Sequence, residues 1–325
     1  MLNAPSNALP NAPSNAPSPT ARPVLARIKA NEFVEAGPHD FRLGDPEPAP
    51  GGHWSPFASE PDGETLWWAR TPVPLHVLPE PFVYLAQYRA ATHLAAHPAR
   101  ALPPATGAPR RFVFSVGRCG STLLGALASD AGMTVLSEPD ALVPFALERG
   151  AAPDRPGRYA RVLDACVEGW RAGASDGAAL VKLRAQHSNA AHLALILGAL
   201  DAPAFTFVFR EPRAWARSMA GHFGLPPERL AALYAAPVAA HAAAVRAGAD
   251  VLVLTFETMR ADADAALAAL GLPPGAGRLP DTSSQVGTRL AAPPDDTPEV
   301  RRTVDAFMER WPAIRAGALL DLDWK

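Results

Sequence analysis

One stretch of the chain combines glycines, a cation and paired hydroxyls: Ser115-Val116-Gly117-Arg118-Cys119-Gly120-Ser121-Thr122. It follows the apolar run Phe112-Val113-Phe114 and leads into the helical pattern Leu123–Ala131. Gly117 and Gly120 permit tight backbone geometry close to a ligand. The first free N–H groups of a following helix point into such a loop, and the helix dipole adds roughly half a positive charge there. Arg118 adds a full charge, and Ser121 and Thr122 add donors. The chemistry this combination supports is phosphate binding. The plainer alternative is a capped strand–helix turn. The loop is not a Walker A motif, which needs G-x-x-x-x-G-K-[ST]. Ser115 stands at the place of the first Gly and Ser121 at that of the Lys. The missing Lys weighs against an ATPase or a kinase.

A second basic segment runs from Arg210 to Ser218, Arg210-Glu211-Pro212-Arg213-Ala214-Trp215-Ala216-Arg217-Ser218. Arg210 closes an apolar run, and Pro212 suits the first turn of a helix, where its missing N–H costs nothing. Ser218 then sits two turns into that helix. A strand-end Arg and a helix Ser can converge on a second anionic group. The alternative is a surface Arg and an exposed Ser.

The elements that position these residues follow from the spacing. Apolar runs stand at 112–114, 133–136, 179–183, 205–209 and 251–254. Ala/Leu-rich segments of helical length lie between and after them, near 121–131, 159–172, 188–199, 213–221, 227–248 and 257–270. Residues 297–317 read as a terminal helix. Short apolar runs alternating with helices predict βα units. The fold class is therefore α/β, with three layers (α/β/α) around a central, mostly parallel sheet of about five strands. Ligands of such sheets bind at the carboxyl ends of the strands. Both basic segments stand at such ends.

Composition narrows the class further. The chain has 325 residues, with 30 Lys+Arg against 32 Asp+Glu and a formal charge of -2. That balance argues against a general nucleic-acid or membrane-surface binder. No uninterrupted apolar run of about 18 residues predicts a membrane span, and the N-terminus lacks the pattern of a secretory signal. Two cysteines, Cys119 and Cys166, make no disulfide framework, so a reducing, cytoplasmic compartment is expected. Of 36 prolines, 20 lie in the first 110 residues. Residues 1–22 repeat an Asn-Ala-Pro-Ser pattern and are expected to be a disordered tail. Residues 23–110 carry Trp54, Trp67, Trp68 and the segment 81–85. This region is expected to pack on the main domain, 111–325, or to line its substrate side.

Together the two basic segments resemble the sulfotransferase family that uses 3′-phosphoadenosine 5′-phosphosulfate (PAPS). In that family a first-strand loop ending R-S-G-[ST]-T-L-L holds the 5′-phosphosulfate. A later R-D-x-x-x-x-x-x-S segment holds the 3′-phosphate. Gly117 to Leu124 matches the first, with Cys119 where Ser is usual. Arg210 to Ser218 matches the second, with Glu211 where Asp is usual. The resemblance covers about residues 111–270 and implies a P-loop NTPase-like form of the α/β fold. It implies transfer of a sulfuryl group from PAPS, as co-substrate and without a metal, to a hydroxyl or amine. The acceptor stays open among small molecules, carbohydrates, lipids and peptides. The site residues implied are Gly117, Arg118, Cys119, Gly120, Ser121, Thr122, Arg210 and Ser218 for the nucleotide, and Glu138, Lys182 and Arg118 for catalysis.

The family pattern directs attention to Ser137-Glu138-Pro139, where Golgi-type members carry a catalytic Glu. A carboxylate beside a substrate hydroxyl can take its proton. The alternative role for Glu138 is to cap a helix starting near Asp140. Cytosolic members carry K-T-H on the next strand, where this chain has Lys182-Leu183-Arg184. Lys182 keeps the Lys place. Arg184 takes the His place and cannot act as a base, which favours Glu138, with His187 in reserve. Phe256 replaces the Tyr of the usual Y-E-D-L. No R-K-G-x-x-G loop is found, and Ser283–Arg289 is a weak substitute. The alternatives are a P-loop phosphotransferase, against which the absent Lys counts, and a non-catalytic nucleotide-binding protein.

Three other patterns carry less. Gly173-Ala174-Ser175-Asp176-Gly177 fits the G-x-S-x-G of serine hydrolases but follows a helix instead of a strand, so it reads as a turn. His93 and His97 could share a helix face for a metal, but no third ligand is near. Cys119 reads as a small loop-filling residue in preference to a reactive thiol.

Overall fold

A computed structural model of the chain describes residues 42–43, 53–60, 64–78, 82–107, 109–147, 154–171, 178–184, 189–275 and 296–317. The tail read over 1–22, the turn at 173–177, His187 and the loop 283–289 lie outside the described residues.

The Trp-bearing region forms a sheet of its own. Strands β1 (Arg42–Leu43), β2 (His53–Ser59), β3 (Thr65–Thr71) and β4 (His93–Pro98) stand in the order β1-β4-β3-β2. β2, β3 and β4 run antiparallel, and β1 joins β4 in parallel. Helix α1 (Val83–Ala90) comes between β3 and β4. Alternation divides the apolar residues between two faces. Phe57, Trp67, Tyr88 and Leu94 make a small core, whereas Leu66, Leu75, Val83 and Ala86 join the main one. Ser59 Oγ donates to the Ala141 carbonyl at 2.8 Å, and Glu64 pairs with Arg158. The small sheet thus packs directly on the α/β unit.

His93 and His97 lie on β4, not on a helix. The backbone there is claimed by β3, with His93 opposite Arg70 and His97 opposite Leu66. Four residues along a strand span about 13 Å at ~3.3 Å per residue, too far to share one metal ion.

The five apolar runs become the strands of one all-parallel sheet: β5 (Arg110–Ser115), β6 (Thr134–Ser137), β7 (Ala179–Lys182), β8 (Ala204–Phe209) and β9 (Asp250–Thr255). Their order is β6-β7-β5-β8-β9. Phe112, Phe114, Phe205, Phe207 and Phe209 form an aromatic ladder across β5 and β8, all fully buried. Phe114 and Phe207 stack at 5.3 Å. Each such side chain contributes roughly 1.5–3 kcal/mol by leaving water.

The helices in chain order are α2 (Ser121–Asp130), α3 (Val143–Leu147), α4 (Arg155–Arg171), α5 (Asn189–Ala199), α6 (Pro212–Phe223), α7 (Pro227–Arg246), α8 (Phe256–Ala261), α9 (Ala263–Ala269), α10 (Pro298–Met308) and α11 (Trp311–Ala316). The chain leaves β5 toward β6 on one side, then crosses back to β8 on the other. Right-handed crossovers therefore put α2 on one face, with α9 beside it, and α4, α5 and α7 on the opposite face. The connections diverge at the carboxyl end of β5, where open parallel sheets bind ligands.

Two predicted helices are split. The segment 257–270 breaks at Asp262, whose extended backbone lets its side chain accept from Ala265 N and start α9. The segment 297–317 breaks before Trp311-Pro312, with the proline in the first turn of α11.

Candidate active site

The loop from β5 to α2 turns sharply, with left-handed φ at Gly117 (73°), Arg118 (45°) and Gly120 (85°). Trp215 of α6, fully buried, holds it in place. Its Nε1 donates to the carbonyls of Val116 at 3.1 Å and Gly117 at 2.9 Å. Gly120 is both the N-cap of α2 and a point of close approach. A Cβ there would lie 2.7 Å from the Phe256 ring and 3.0 Å from Met259 Cε. Gly120→Ala is accordingly expected to cost at least about 1–2 kcal/mol from left-handed backbone alone, with the displaced Phe256 ring adding to it. A lowered urea midpoint with an unchanged slope is the expected reading; a midpoint equal to wild type would contradict this account of the loop.

Arg118 turns its guanidinium toward α6. Its Nε donates to Ser218 Oγ at 2.9 Å, and its Nη2 lies 3.1 Å from His222 Nε2. Arg210, at the end of β8, donates from Nη1 to the Arg118 carbonyl at 3.2 Å and packs over the Phe256 ring at 4.8 Å. Tyr234 OH anchors it by donating to its carbonyl at 2.6 Å. Glu211 caps α6, accepting from Arg213 N at 2.8 Å and Ala214 N at 2.6 Å. The acidic place in the second segment therefore builds the helix end that carries Ser218.

The two arginines share a strained electrostatic setting. Both are held below their ordinary values, first by burial; for Arg118 the second cause is repulsion from Arg210. Glu257, Cys119 and Glu211 work the other way on Arg210. Among the described residues no carboxylate lies within ion-pair distance of Arg210, and its Nε is buried without a hydrogen-bond partner. An anion between them would relieve both the repulsion and the missing acceptor.

A second group stands at the ends of β6 and β7, which pair Ser137 with Lys182. Lys182, 3 % exposed, meets Glu138 Oε1 at 2.5 Å and Ser137 Oγ at 3.5 Å. Arg184 Nε is 3.6 Å from Glu138 Oε2, and its Nη1 is 3.4 Å from Asp140 Oδ1. Glu138 has a left-handed φ of 57°, an uncommon conformation for a non-glycine residue. It does not cap the following helix: the turn Asp140–Leu142 has Pro139 at its N-cap. Phe82 and Tyr84, from the start of α1, wall this group. Lys182 Nζ lies 4.6 Å from the Phe82 ring centre, and the Arg184 guanidinium 4.4 Å from that of Tyr84. Burial, then the charge of Glu138, pushes the Tyr84 phenol up to about 12.

The sequence-predicted residues thus gather at one end of one sheet. Arg118 joins Arg210 and Ser218, its side chain donating to Ser218 and its carbonyl accepting from Arg210, and Glu138 meets Lys182. β5 pairs with β7, Val113 opposite Lys182, which sets the two groups side by side. Ser121 is buried at the start of α2, within 3.4 Å of Ser115, and Thr122 is partly exposed. Cys119 is fully buried and its thiol is pushed up by burial, consistent with a loop-filling role. Sequence reasoning missed Asp140 and His222; Phe82 and Tyr84 belong to the segment expected to pack on the main domain or line its substrate side. His222 had a readable signal, since it stands one helical turn after Ser218.

Beyond His222 a groove of about 840 Å³ opens between the α6–α7 turn and α10, lined by Phe223, Leu225, Pro226, Glu299 and Val300. Among the described residues no group of three or more His, Cys, Asp or Glu side chains could hold a metal ion. No helix among them is long and apolar enough to cross a membrane. A scan against protein-family models and a search of curated proteins found no match for the chain.

Proposed function

We propose that the chain is a sulfotransferase, moving a sulfuryl group from PAPS to a hydroxyl or amine of an acceptor. One observation carries the reading: Arg118 and Arg210, like charges and both partly buried, meet at a glycine-bearing strand–helix loop beside Ser218. Such a pair is costly unless an anion joins it. In this reading Arg118, Arg210 and Ser218 hold the phosphate that marks the nucleotide; the catalytic place expected for Arg118 passes to Lys182 alone, because the Arg118 guanidinium is turned to Ser218. Gly117, Cys119, Gly120, Ser121 and Thr122 form the cradle for the phosphosulfate, with the N–H groups of α2 as donors.

The reaction is an in-line displacement at sulfur. The acceptor oxygen or nitrogen forms a bond to sulfur while the bond from sulfur to the phosphate oxygen breaks. Glu138 takes the acceptor proton. The electron pair of the broken bond leaves on the phosphate oxygen, and the adenosine bisphosphate departs as an anion. Lys182 stands beside Glu138 and supplies positive charge where that oxygen becomes negative. The two therefore exchange partners during turnover: Lys182 passes from the Glu138 carboxylate to the leaving group as Glu138 turns to the acceptor.

The test is calorimetric titration with adenosine 3′,5′-bisphosphate in EDTA, with AMP and ATP compared. Metal-free binding that requires the 3′-phosphate is the expected result. A preference for Mg²⁺-ATP would replace this reading with a phosphotransferase. Binding of the bisphosphate without turnover on a broad acceptor panel would leave a nucleotide-binding protein.

A further inference from the structure

An arginine binds an anion well only when its plane is fixed, because the forked pair depends on two parallel N–H groups. Arg118 is gripped along one edge. Its Nε donates to Ser218 Oγ at 2.9 Å and its Nη2 points to His222 Nε2 at 3.1 Å. A guanidinium only donates, so His222 Nε2 is the acceptor of this pair. Ser218 and His222 are four residues apart on α6 and so lie on one face of it. That helix is itself fixed at both ends, by the Glu211 cap and by Gly224 in the left-handed conformation (φ 62°). In the middle, Trp215 ties it to the loop that carries Arg118.

We propose that His222 is a positioning residue: with Ser218 it sets the guanidinium plane of Arg118 so that the end-on Nη1/Nη2 edge meets an anionic group of the co-substrate. This rests on the sulfotransferase reading only for the identity of that anion. His222 acts through Arg118 and does not itself touch the ligand.

The test uses three chains, wild type, His222→Gln and His222→Phe, each also built on Arg118→Ala. Two probes are titrated, inorganic pyrophosphate and adenosine 3′,5′-bisphosphate. Glutamine keeps an acceptor and phenylalanine does not, while His222 is partly exposed, so neither change removes core packing. His222→Phe is expected to weaken both probes about tenfold, the effect of one lost charge-assisted hydrogen bond. His222→Gln should stay within about threefold of wild type. On Arg118→Ala, the His222 changes should have no further effect. An equal loss on that background would make His222 a direct ligand and overturn the proposal, as would a glutamine variant no better than phenylalanine. If wild type binds pyrophosphate but not the bisphosphate, the nucleotide reading fails while the same comparison with pyrophosphate still decides the role of His222. If wild type binds neither, both fall.

Discussion

Arg210→Ala is expected to weaken adenosine 3′,5′-bisphosphate by roughly 10- to 150-fold, the equivalent of about 1.5–3 kcal/mol for a hydrogen bond to a charged group. The free protein should melt within a few degrees of wild type. The variant loses one donor to the Arg118 carbonyl, but it also removes one of two like charges that disfavour each other. The two readouts therefore separate. At a ligand concentration of about 100 Kd, wild type gains roughly 2.7 kcal/mol of stability, worth about 4 °C for a chain of this size. The variant at the same concentration should gain much less. An unchanged affinity, or a free protein that no longer melts cooperatively, would remove Arg210 from the anion site.

The second large effect concerns Glu138 and Lys182. Glu138→Gln is expected to lower turnover on the order of 10²–10⁴-fold, the usual share of a general base, with bisphosphate affinity little changed. Lys182→Met should lose turnover as well, and should destabilise the fold by less than the about 3–5 kcal/mol of a fully broken buried pair, because Arg184 stays 3.6 Å from Glu138. Joining the two changes removes both charges. The double variant should recover most of that stability and none of the turnover. Denaturant melts together with acceptor-dependent release of the bisphosphate read both quantities. Turnover within a few-fold of wild type in Glu138→Gln would move the proton to another base, with His187 as the candidate.

How much of this was legible in the sequence depends on the range of the interaction. The five strands of the main sheet could be read because each is a short apolar run between breakers. The loop at 117–122 could be read because its glycines, cation and hydroxyls are contiguous. The strand at 93–98 was missed because alanine and histidine carry little strand preference, and its partner β3 decides the matter. Asp262 broke a helix that apolar content alone would have continued, because an aspartate competes for the backbone at a cap. The wall of Phe82 and Tyr84 was out of reach of any local pattern. Its placement depends on how the small sheet lies against β6 and β7; the sequence of 81–85 pointed to packing on the main domain or lining its substrate side, but not to which side chains it would meet.

That wall has a consequence for the order in which the chain is made. Tyr84 and Lys182 are 98 positions apart. At ~5–20 residues per second, roughly 5–20 s separate their synthesis. During that interval Phe82, Tyr84 and the apolar face carrying Leu66, Val83 and Ala86 have no β7 and no α4 to cover them. The small sheet is born as a half-finished surface, held by its own few core residues. It is completed by the strand that brings the ammonium of Lys182, so the nascent chain carries an uncovered apolar face before any of its proposed chemistry exists.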